Sequence, residues 1–442
     1  MSIMNHENNI ELIKRMSADK SEPAWLLDMR LKSYGEFMDK SMPDWGPSLA
    51  DLDMGSIRFY IPPELAEGES WEDLPDEVKN TFDKLGIPEA EKQYLGGVGA
   101  QYDSGMVYHR ILDSLAAQGV IFENMDKAVH LYPDLVREHF AKCIGYNEHK
   151  FSLLHYAFWS GGTFIYVPKG VKVTMPLQAY FRMNAISSGQ FEHTLIIADE
   201  GSSIEYIEGC SAPRYNSSSI HAGGVEIFVK KGAKVKYSSI ENWSRNTFNL
   251  NTKKALVYER GHIEWLNGNM GSAVTMLYPT SVLLGDYAEN ISLGIVMASE
   301  GQVQDTGSKV IHLGSHTSSI IKSKSISRDG GVSEYRGFVQ VGKKAEHTVS
   351  HVDCDALMLD DISTSHTWPT YKVENNNANI THEAKVGRVD EAGLFYLSMH
   401  GLSEEEGLRA IVGGYMSEVV KKLPLEYAIE LNKLIDLEME KA

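Results

Sequence analysis

The chain is short of cysteine, short of positive charge, and without any long apolar run. Its 442 residues hold three cysteines, Cys143, Cys210 and Cys354, an odd number set far apart along the chain. They make no disulfide framework, no CxxC pair and no closed zinc box. Lys and Arg number 42 against 60 Asp and Glu, a net charge of −18. That balance argues against DNA or RNA as the main partner, because phosphate recognition draws on clustered basic side chains. No apolar run approaches the roughly 18 residues of a membrane span. The opening stretch MSIMNHENNIELIK is polar and acidic where a signal peptide needs an apolar core. The expectation is a cytoplasmic protein with no membrane and no nucleic acid among its partners. A GxxxxGK[ST] phosphate loop and a GxSxG elbow are also missing, and the glycine-rich LGGVGAQ lacks the GxGxxG spacing. If nucleotide energy is used, a partner must hydrolyse it.

What the sequence does have is a repeat. From about residue 160 an apolar strand-like run, a glycine, a few small or charged residues and a second strand-like run return again and again. Examples are YVPKGVKVTM, IADEGSSIEYI, FVKKGAKVKYS and VQVGKKAEHTV. The marker glycines are Gly170, Gly201, Gly232, Gly261, Gly285, Gly314 and Gly342. They recur about every 30 residues, the regularity of stacked coils, with one shorter interval from Gly261 to Gly285. A helix-free unit of that length, rich in Val, Ile, Tyr, Thr and Ser, is short for a βαβ crossover and suits one rung of a parallel β-helix. Glycine at each corner would supply positive φ. The fold class expected is therefore an all-β core with helical flanks. Residues 1–150 form an N-terminal helical or mixed domain, 151–389 the β-helix core and 390–442 a C-terminal helical domain.

The flanks carry their own signals. In SEPAWLLDMRLKSYGEFM, Ser21 is placed to cap a helix with Pro23 in its first turn. ENMDKAVHLYPDLVREHFAKCIG reads as helix interrupted at Pro133 and ending near Gly145, and residues 40 to 105 show no regular element. Near the end, Ser403 and Glu406 make a capping box, and Pro424 opens a second amphipathic helix.

Chemistry has to come from few residues. In VSHVDCDALM regular alternation puts Thr348, Ser350, Val352 and Cys354 on one strand face and His347, Val349, His351 and Asp353 on the other. The series His347, His351, Cys354 is therefore a poor zinc site. About one rung farther along from Cys354 comes ITHEAKV, which would bring His382 and Glu383 beside the thiol. A neighbouring imidazole favours the thiolate that attacks sulfur and binds metal. The competing reading is a small apolar filler in a strand. Cys210, in YIEGCSAPRYN, ends a strand before a Pro- and Asn-rich loop and also reads as a filler, and Cys143 reads as inert packing.

Taken together, EPAWLLDMRLKSY, YDSGMVYHRI, GVIFENMDKAV, YVPKGVKVTMPLQAYFRMNA, GQFEHTLIIADEGSSIEYIEGCSAP, CDALML, THEAKVGRVDEAGLFYLSMHG and LPLEYAIELNKLI resemble the SufB/SufD family of the SUF iron–sulfur cluster assembly system over nearly the whole chain. EGCSAP and LPLEYAIELNKLI look closer to its SufB branch. The resemblance implies a right-handed parallel β-helix between helical domains. It implies a scaffold, not an enzyme, on which a nascent, transient iron–sulfur cluster is built from persulfide sulfur and iron, then handed to acceptor proteins. Implied partners are the ATPase SufC at the C-terminal helices and SufD or a second SufB at one end of the β-helix. Sulfur would come from a SufS-type cysteine desulfurase through a SufE- or SufU-type carrier, and reduced flavin stays open as a participant. By motif, Cys210 matches the sulfur acceptor, and Arg182, Asn184, Trp243 and Lys253 match positions along a sulfur path through the β-helix. Glu241, on the same path, stands where the family more often has Gln. Cys354 matches the thiol that holds the cluster, with Glu383 and His382 beside it as further ligands. Thr381 replaces an acid found in some relatives, and a cysteine-rich N-terminal motif of other members is missing. Two further readings stand beside the scaffold: a SufD-like structural subunit that ligates no cluster, and a β-helix polysaccharide lyase or hydrolase, which would need paired carboxylates in a groove.

Overall fold

Short β-rich segments divided by tight turns have two ways to satisfy their backbone, hairpins or stacked coils, and this chain stacks. A computed structural model describes residues 6–62, 70–84, 94–185, 187–212 and 217–422, with isolated positions as far as 439. The strand Ser203–Ser211 lies parallel on Lys234–Trp243, followed by His262–Gly271, Glu289–Ala298, Ser318–Ser327, Thr348–Met358 and Ala378–Arg388. Register partners stand one rung apart in the chain, as with Glu289 on His262 and Lys234 on Ser203. The core is thus the β-solenoid that the repeat foretold, with helices at both ends of the chain.

The cross-section changes along the axis. Early coils carry three strand segments, such as Lys234–Trp243, Thr247–Asn249 and Thr252–Val257. At Val303–His312 the second and third merge: Val303 pairs with Val274 of the second segment, and Lys309 pairs with Thr280 of the third. Later coils are two-sided. Cys210 lies in the three-sided part.

The corner residues correct the glycine reading. Gly170, Gly201 and Gly232 do occupy one stacked corner, with φ of 76°, 66° and 66°. Their amides step from coil to coil onto Glu200, Lys231 and Glu259 carbonyls. In the next coils the same place belongs to Arg260, Tyr287, His316 and His347, all at φ between 55° and 60°. Gly261, Gly285, Gly314 and Gly342 sit beside it. A left-handed residue other than glycine costs about 1–2 kcal/mol, and side-chain stacking along the corner offsets it. Arg260 lies 4.5 Å from the Tyr287 ring, Tyr287 stacks on His316 at 4.8 Å, and His316 on His347 at 4.7 Å. Gly285 and Gly314 serve close approach instead, since a Cβ there would meet neighbouring backbone at 2.1 and 2.2 Å.

Each outer face of the early coils has its own cover. The short-strand face, with Phe191, Ile220 and Phe248, packs under Tyr34, Phe37 and Phe158. The face carrying Leu195, Ile197 and Phe228 lies under Val129, Val136 and Phe140. The third face, with Ile207, Ile240, Leu266 and Ile295, is covered by Val412, Met416 and Val419 of the helix Glu404–Val420, and by Leu431 and Ile435. The C-terminal stripe therefore packs on this chain; most of the helix expected from Pro424 lies outside the described residues. The flank is less helical than expected: Gly97–Tyr102 and Gly105–Ile111 form a hairpin that joins the sheet by pairing on Leu177–Arg182. Ser21 does not cap. It turns the chain at φ 52°, and Pro23 takes the cap position of Ala24–Asp39 without a side-chain bond. Pro133 does break the next helix, which ends at His139 and not near Gly145. The Ser403–Glu406 capping box forms as read. Among the described residues no helix is long and apolar enough to cross a membrane.

Two imidazoles tie the fold to pH. Burial holds His149 and His312 at about 4, below the ordinary 6.5. His149 Nδ1 accepts the Ser152 amide at its helix start, a bond that needs the neutral ring. Because the folded values lie below the unfolded one, the unfolded chain takes up protons that the folded chain refuses. Their contribution is intact above pH 6.5 and is lost as pH falls toward 4. The melting temperature should drop across that window, with the His312 ring still neutral at pH 5 by NMR. A His312 ring that titrates near 6.5 would contradict this assignment.

Candidate functional site

Alternation along Ser203–Ser211 sends Tyr206, Glu208 and Cys210 into the lumen and Ile207 outward under the C-terminal helix. Parallel register then fixes their neighbours. Cys210 is paired with Glu241 on one side and Phe181 on the other, and His221 with Asn249 and Gln190. Facing strands bring in Lys253, whose Nζ meets Glu241 Oε1 at 2.6 Å and Ser239 Oγ at 2.8 Å, with both charged side chains fully enclosed. Asn249 Nδ2 donates to Glu241 Oε2 at 2.6 Å, and the Trp243 ring packs 4.2 Å from His221. Burial raises the Glu241 carboxyl, but Lys253 and His221 outweigh it and hold the group below its ordinary value. The acid standing in a usual glutamine position is thus an ionised partner of Lys253.

Two lumen residues were missed in the sequence, Glu192 and His221. Glu192 Oε1 and His221 Nε2 are 2.5 Å apart, and both groups, with Cys210, offer ligand atoms that lie within 4.8 Å of one another. Glu192 and His221 are one rung apart in the chain, the signal that would have paired them.

Arg182 and Asn184 lie at the rim. The register partner of Arg182 is Ser211, whose hydroxyl accepts from Nη1 at 2.8 Å, so Arg182 stands on the opposite face of the sheet from Cys210. The Asn184 amide N–H donates to Asp103 at 2.6 Å. Cys143 is packed under the N-terminal helices with Sγ 3.1 Å from the Lys254 carbonyl.

Cys354 alternates as expected: Thr348, Ser350, Val352 and Cys354 are buried while Val349, His351 and Asp353 are not. Its rung partner, however, is Ala384. His382 pairs with Val352 and so shares the thiol's face one step away, with its ring 5.9 Å from Tyr371. Glu383 pairs with Asp353 on the opposite face, exposed and 3.6 Å from Lys385. The structure therefore brings the imidazole toward Cys354 and turns the carboxylate away. The thiol is only 4% exposed, so it does not stand on an accessible edge. Burial pushes it up to about 12, against the Tyr335 hydroxyl. Burial lowers His382, which leaves no imidazolium to favour the thiolate. Burial, together with Glu208 and Glu241, also drives Cys210 well above its ordinary value.

A continuous lumen row runs to Cys354 from Glu208, two residues before Cys210 on the same strand face; the row of Cys210 itself passes through Glu241 and Asn269 and reaches Ala356. Glu208, Ser239, Asn267, Gly294, Ser323 and Cys354 are successive register partners. From the coil of Cys210 to that of Cys354 is five strand spacings, roughly 24 Å. Midway, a cavity of about 20 Å³ is lined by Asn267, Asn269, Ser292, Gly294, Ser323 and Tyr335 among others, room for one water-sized species.

Comparison with known proteins follows the same lines. Residues 181–415 match the family model described as the SufBD core domain of SUF system FeS cluster assembly, and residues 103–179 match the SufBD protein N-terminal region. A Bacillus subtilis iron–sulfur cluster assembly protein SufB is 49% identical over 442 residues, covering 100% of this chain and 95% of that protein. A SufBD family protein of Staphylococcus epidermidis is 50% identical with the same coverage.

The buried pair sets an energetic expectation. Lys253→Met should cost about 3–5 kcal/mol by stranding the Glu241 charge, and adding Glu241→Gln should recover most of that loss in denaturant unfolding. If the double variant is no more stable than the single one, the charge is not what the lysine offsets.

Proposed function

The chain is a member of the SufB/SufD family of the SUF iron–sulfur cluster assembly system, and from that membership we propose that it is a scaffold that receives persulfide sulfur at Cys210 and holds the nascent cluster at Cys354. The observation that carries the reading is the lumen row of small and polar side chains from Glu208, beside Cys210, to Cys354, with a cavity of about 20 Å³ midway. Lys253 and Glu241 flank the starting point, where a fixed ammonium stabilises an anionic sulfur species in a low-dielectric interior. Thiolate is a soft ligand suited to iron and sulfide, and too few thiols to close a site make the ligation exchangeable. The cluster is cargo, and hydrolysis belongs to the partner ATPase. No feature of the described site supports the reduced flavin that the sequence left open.

Cys354 lies one coil from the end, under strands Thr364–Val373 and Ala378–Arg388, which are exposed for most of their length. Releasing a cluster from a buried thiol requires that final coil to move, and its bare edge and the exposed Trp368, Val373 and Val386 are suited to a SufD chain or a second copy. Docking there would supply the ligands that Glu383, turned away, does not. SufC is assigned to the helix Glu391–Met399, none of whose residues is buried and whose Phe395, Tyr396 and Met399 are 66%, 64% and 71% exposed. Nucleotide binding in SufC is the source of the motion, an interface rearrangement transmitted through Glu404–Val420 to the outer sheet face. Sulfur arrives from a SufS-type desulfurase through a SufE- or SufU-type carrier.

Anaerobic reconstitution with SufC, desulfurase, cysteine and iron tests the division of labour. Cys354→Ser should abolish the cluster absorbance while Cys210 still becomes persulfidated, and Cys210→Ser should block both. Intact cluster formation in Cys354→Ser would make the chain a structural partner subunit instead. Separately, Phe395→Glu with Tyr396→Glu should weaken SufC binding at least tenfold in calorimetry, leaving the melting temperature within about 2 °C because neither side chain is buried. Unchanged affinity would remove this helix from the contact.

A further inference from the structure

The enclosed corner beside Cys210 contains more acceptor capacity than the protein fills. Glu192 is 3% exposed, and its Oε2 has no hydrogen-bond partner. Its Oε1 faces His221 Nε2 at 2.5 Å, while His221 Nδ1 lies 2.9 Å from Asn249 Oδ1. Lys253, the nearby ammonium, is engaged by Glu241 and Ser239. Against burial, Glu192 raises the His221 imidazole above its ordinary value and is paired with it through Oε1, while the buried Oε2 is left without a donor, at a cost that a bound cation would offset.

Three further observations give that cation a chemistry. The thiol of Cys210 joins Glu192 and His221 in a triad whose donor atoms lie within 4.8 Å of one another. Asn249 Oδ1 is placed to accept the Nδ1 proton, as the outer partner of a metal-bound histidine does, which leaves Nε2, now facing Glu192, as the nitrogen a metal would take. Gly223 has an ordinary φ, and a Cβ there would sit 2.5 Å from Glu192 Oε1 and 3.1 Å from His221 Nε2. Its missing side chain keeps space beside both ligand atoms and answers no backbone need.

We propose that Glu192, His221 and Cys210 form a lumenal site for a divalent transition metal, and that its working occupant is ferrous iron held where sulfur enters. One sulfur, one nitrogen and one oxygen donor with a fourth position open is a set that ferrous iron, cobalt and zinc all accept. On binding, the Cys210 thiol and the His221 Nε2 each lose a proton to solvent, and the metal takes the resulting thiolate and imidazole lone pair; no redox change is involved. The cation also offsets the carboxylates that otherwise oppose ionisation of that thiol. The assignment to iron rests on the scaffold reading, whereas the metal site rests on geometry alone. Iron and sulfur would then meet at Cys210, with Cys354 receiving what leaves.

Cobalt(II) titration of the full-length chain under anaerobic conditions tests it. One equivalent should bind with a thiolate-to-cobalt charge-transfer band in the near ultraviolet, in the wild type and in Cys354→Ser alike. The band should vanish in Cys210→Ser. Glu192→Gln, which keeps the side chain's shape, should weaken cobalt at least tenfold without changing the far-ultraviolet circular dichroism. Absence of the band in the wild type, or its survival in Cys210→Ser, overturns the site. If Glu192→Gln loses cobalt yet assembles clusters from iron at the wild-type rate, the metal site stands and the iron role falls. Cobalt binding does not depend on cluster assembly, so a failure of the scaffold reading leaves this result untouched.

Discussion

In-register stacking of coils is the constraint from which the rest of the molecule follows. Once strands lie parallel one rung apart, the lumen side chains of the inner coils face their counterparts above and below and are largely shut off from water. Most polar residues there are held by bonding to one another, with Glu192 Oε2 and Asn269 Oδ1 among the exceptions. Ser219 with Thr247, His221 with Asn249, Ser239 with Asn267 and Ser319 with Ser350 are such rung-to-rung pairs, at 2.8 to 3.0 Å. Lys253 and Glu241 are the charged version of the same rule. Side chains packed this way are held in place by the fold itself, which is what positioning inside a protein requires.

The two ends of the solenoid are treated differently. The first edge is sealed by the hairpin Gly97–Ile111, and Glu226 pins the N-terminal flank by accepting the Ala141, Cys143 and Ile144 amides at 2.7 Å each. The last strand, Ala378–Arg388, is left uncovered among the described residues. The covered end is the one near Cys210 and the exposed end the one near Cys354, which fits the proposed direction of transfer. The coils around Cys210 have three strand segments and those around Cys354 two, so the proposed path would run from the three-sided part of the solenoid into the two-sided part.

Legibility in the sequence followed the physics of the repeat. Stacked coils were readable because parallel pairing forces a constant period, and the alternation around Cys354 was readable because strands have a period of two. The marker glycines misled after Gly232, since stacked Arg260, Tyr287, His316 and His347 can carry a left-handed backbone that glycine usually supplies. Glu383 was misplaced because the rung from Cys354 closes on Ala384, the next position along, and a slip of one position reverses a strand face. Glu192 and His221 were invisible as isolated residues; only register makes them neighbours of Cys210. The motifs carried the family, while the burial of both thiols and the turning of Glu383 needed the fold.

A selenium tracer tests the central claim, passage of sulfur through the lumen, most directly. The chain in complex with SufC would be loaded anaerobically from a desulfurase supplied with selenocysteine, then crystallised and measured at the selenium absorption edge. Anomalous density is predicted on Cys210 and, at partial occupancy, along the row from Asn267 through Gly294 and Ser323 to Cys354. Selenium found at Cys354 with none on Cys210 or within the solenoid would contradict the account.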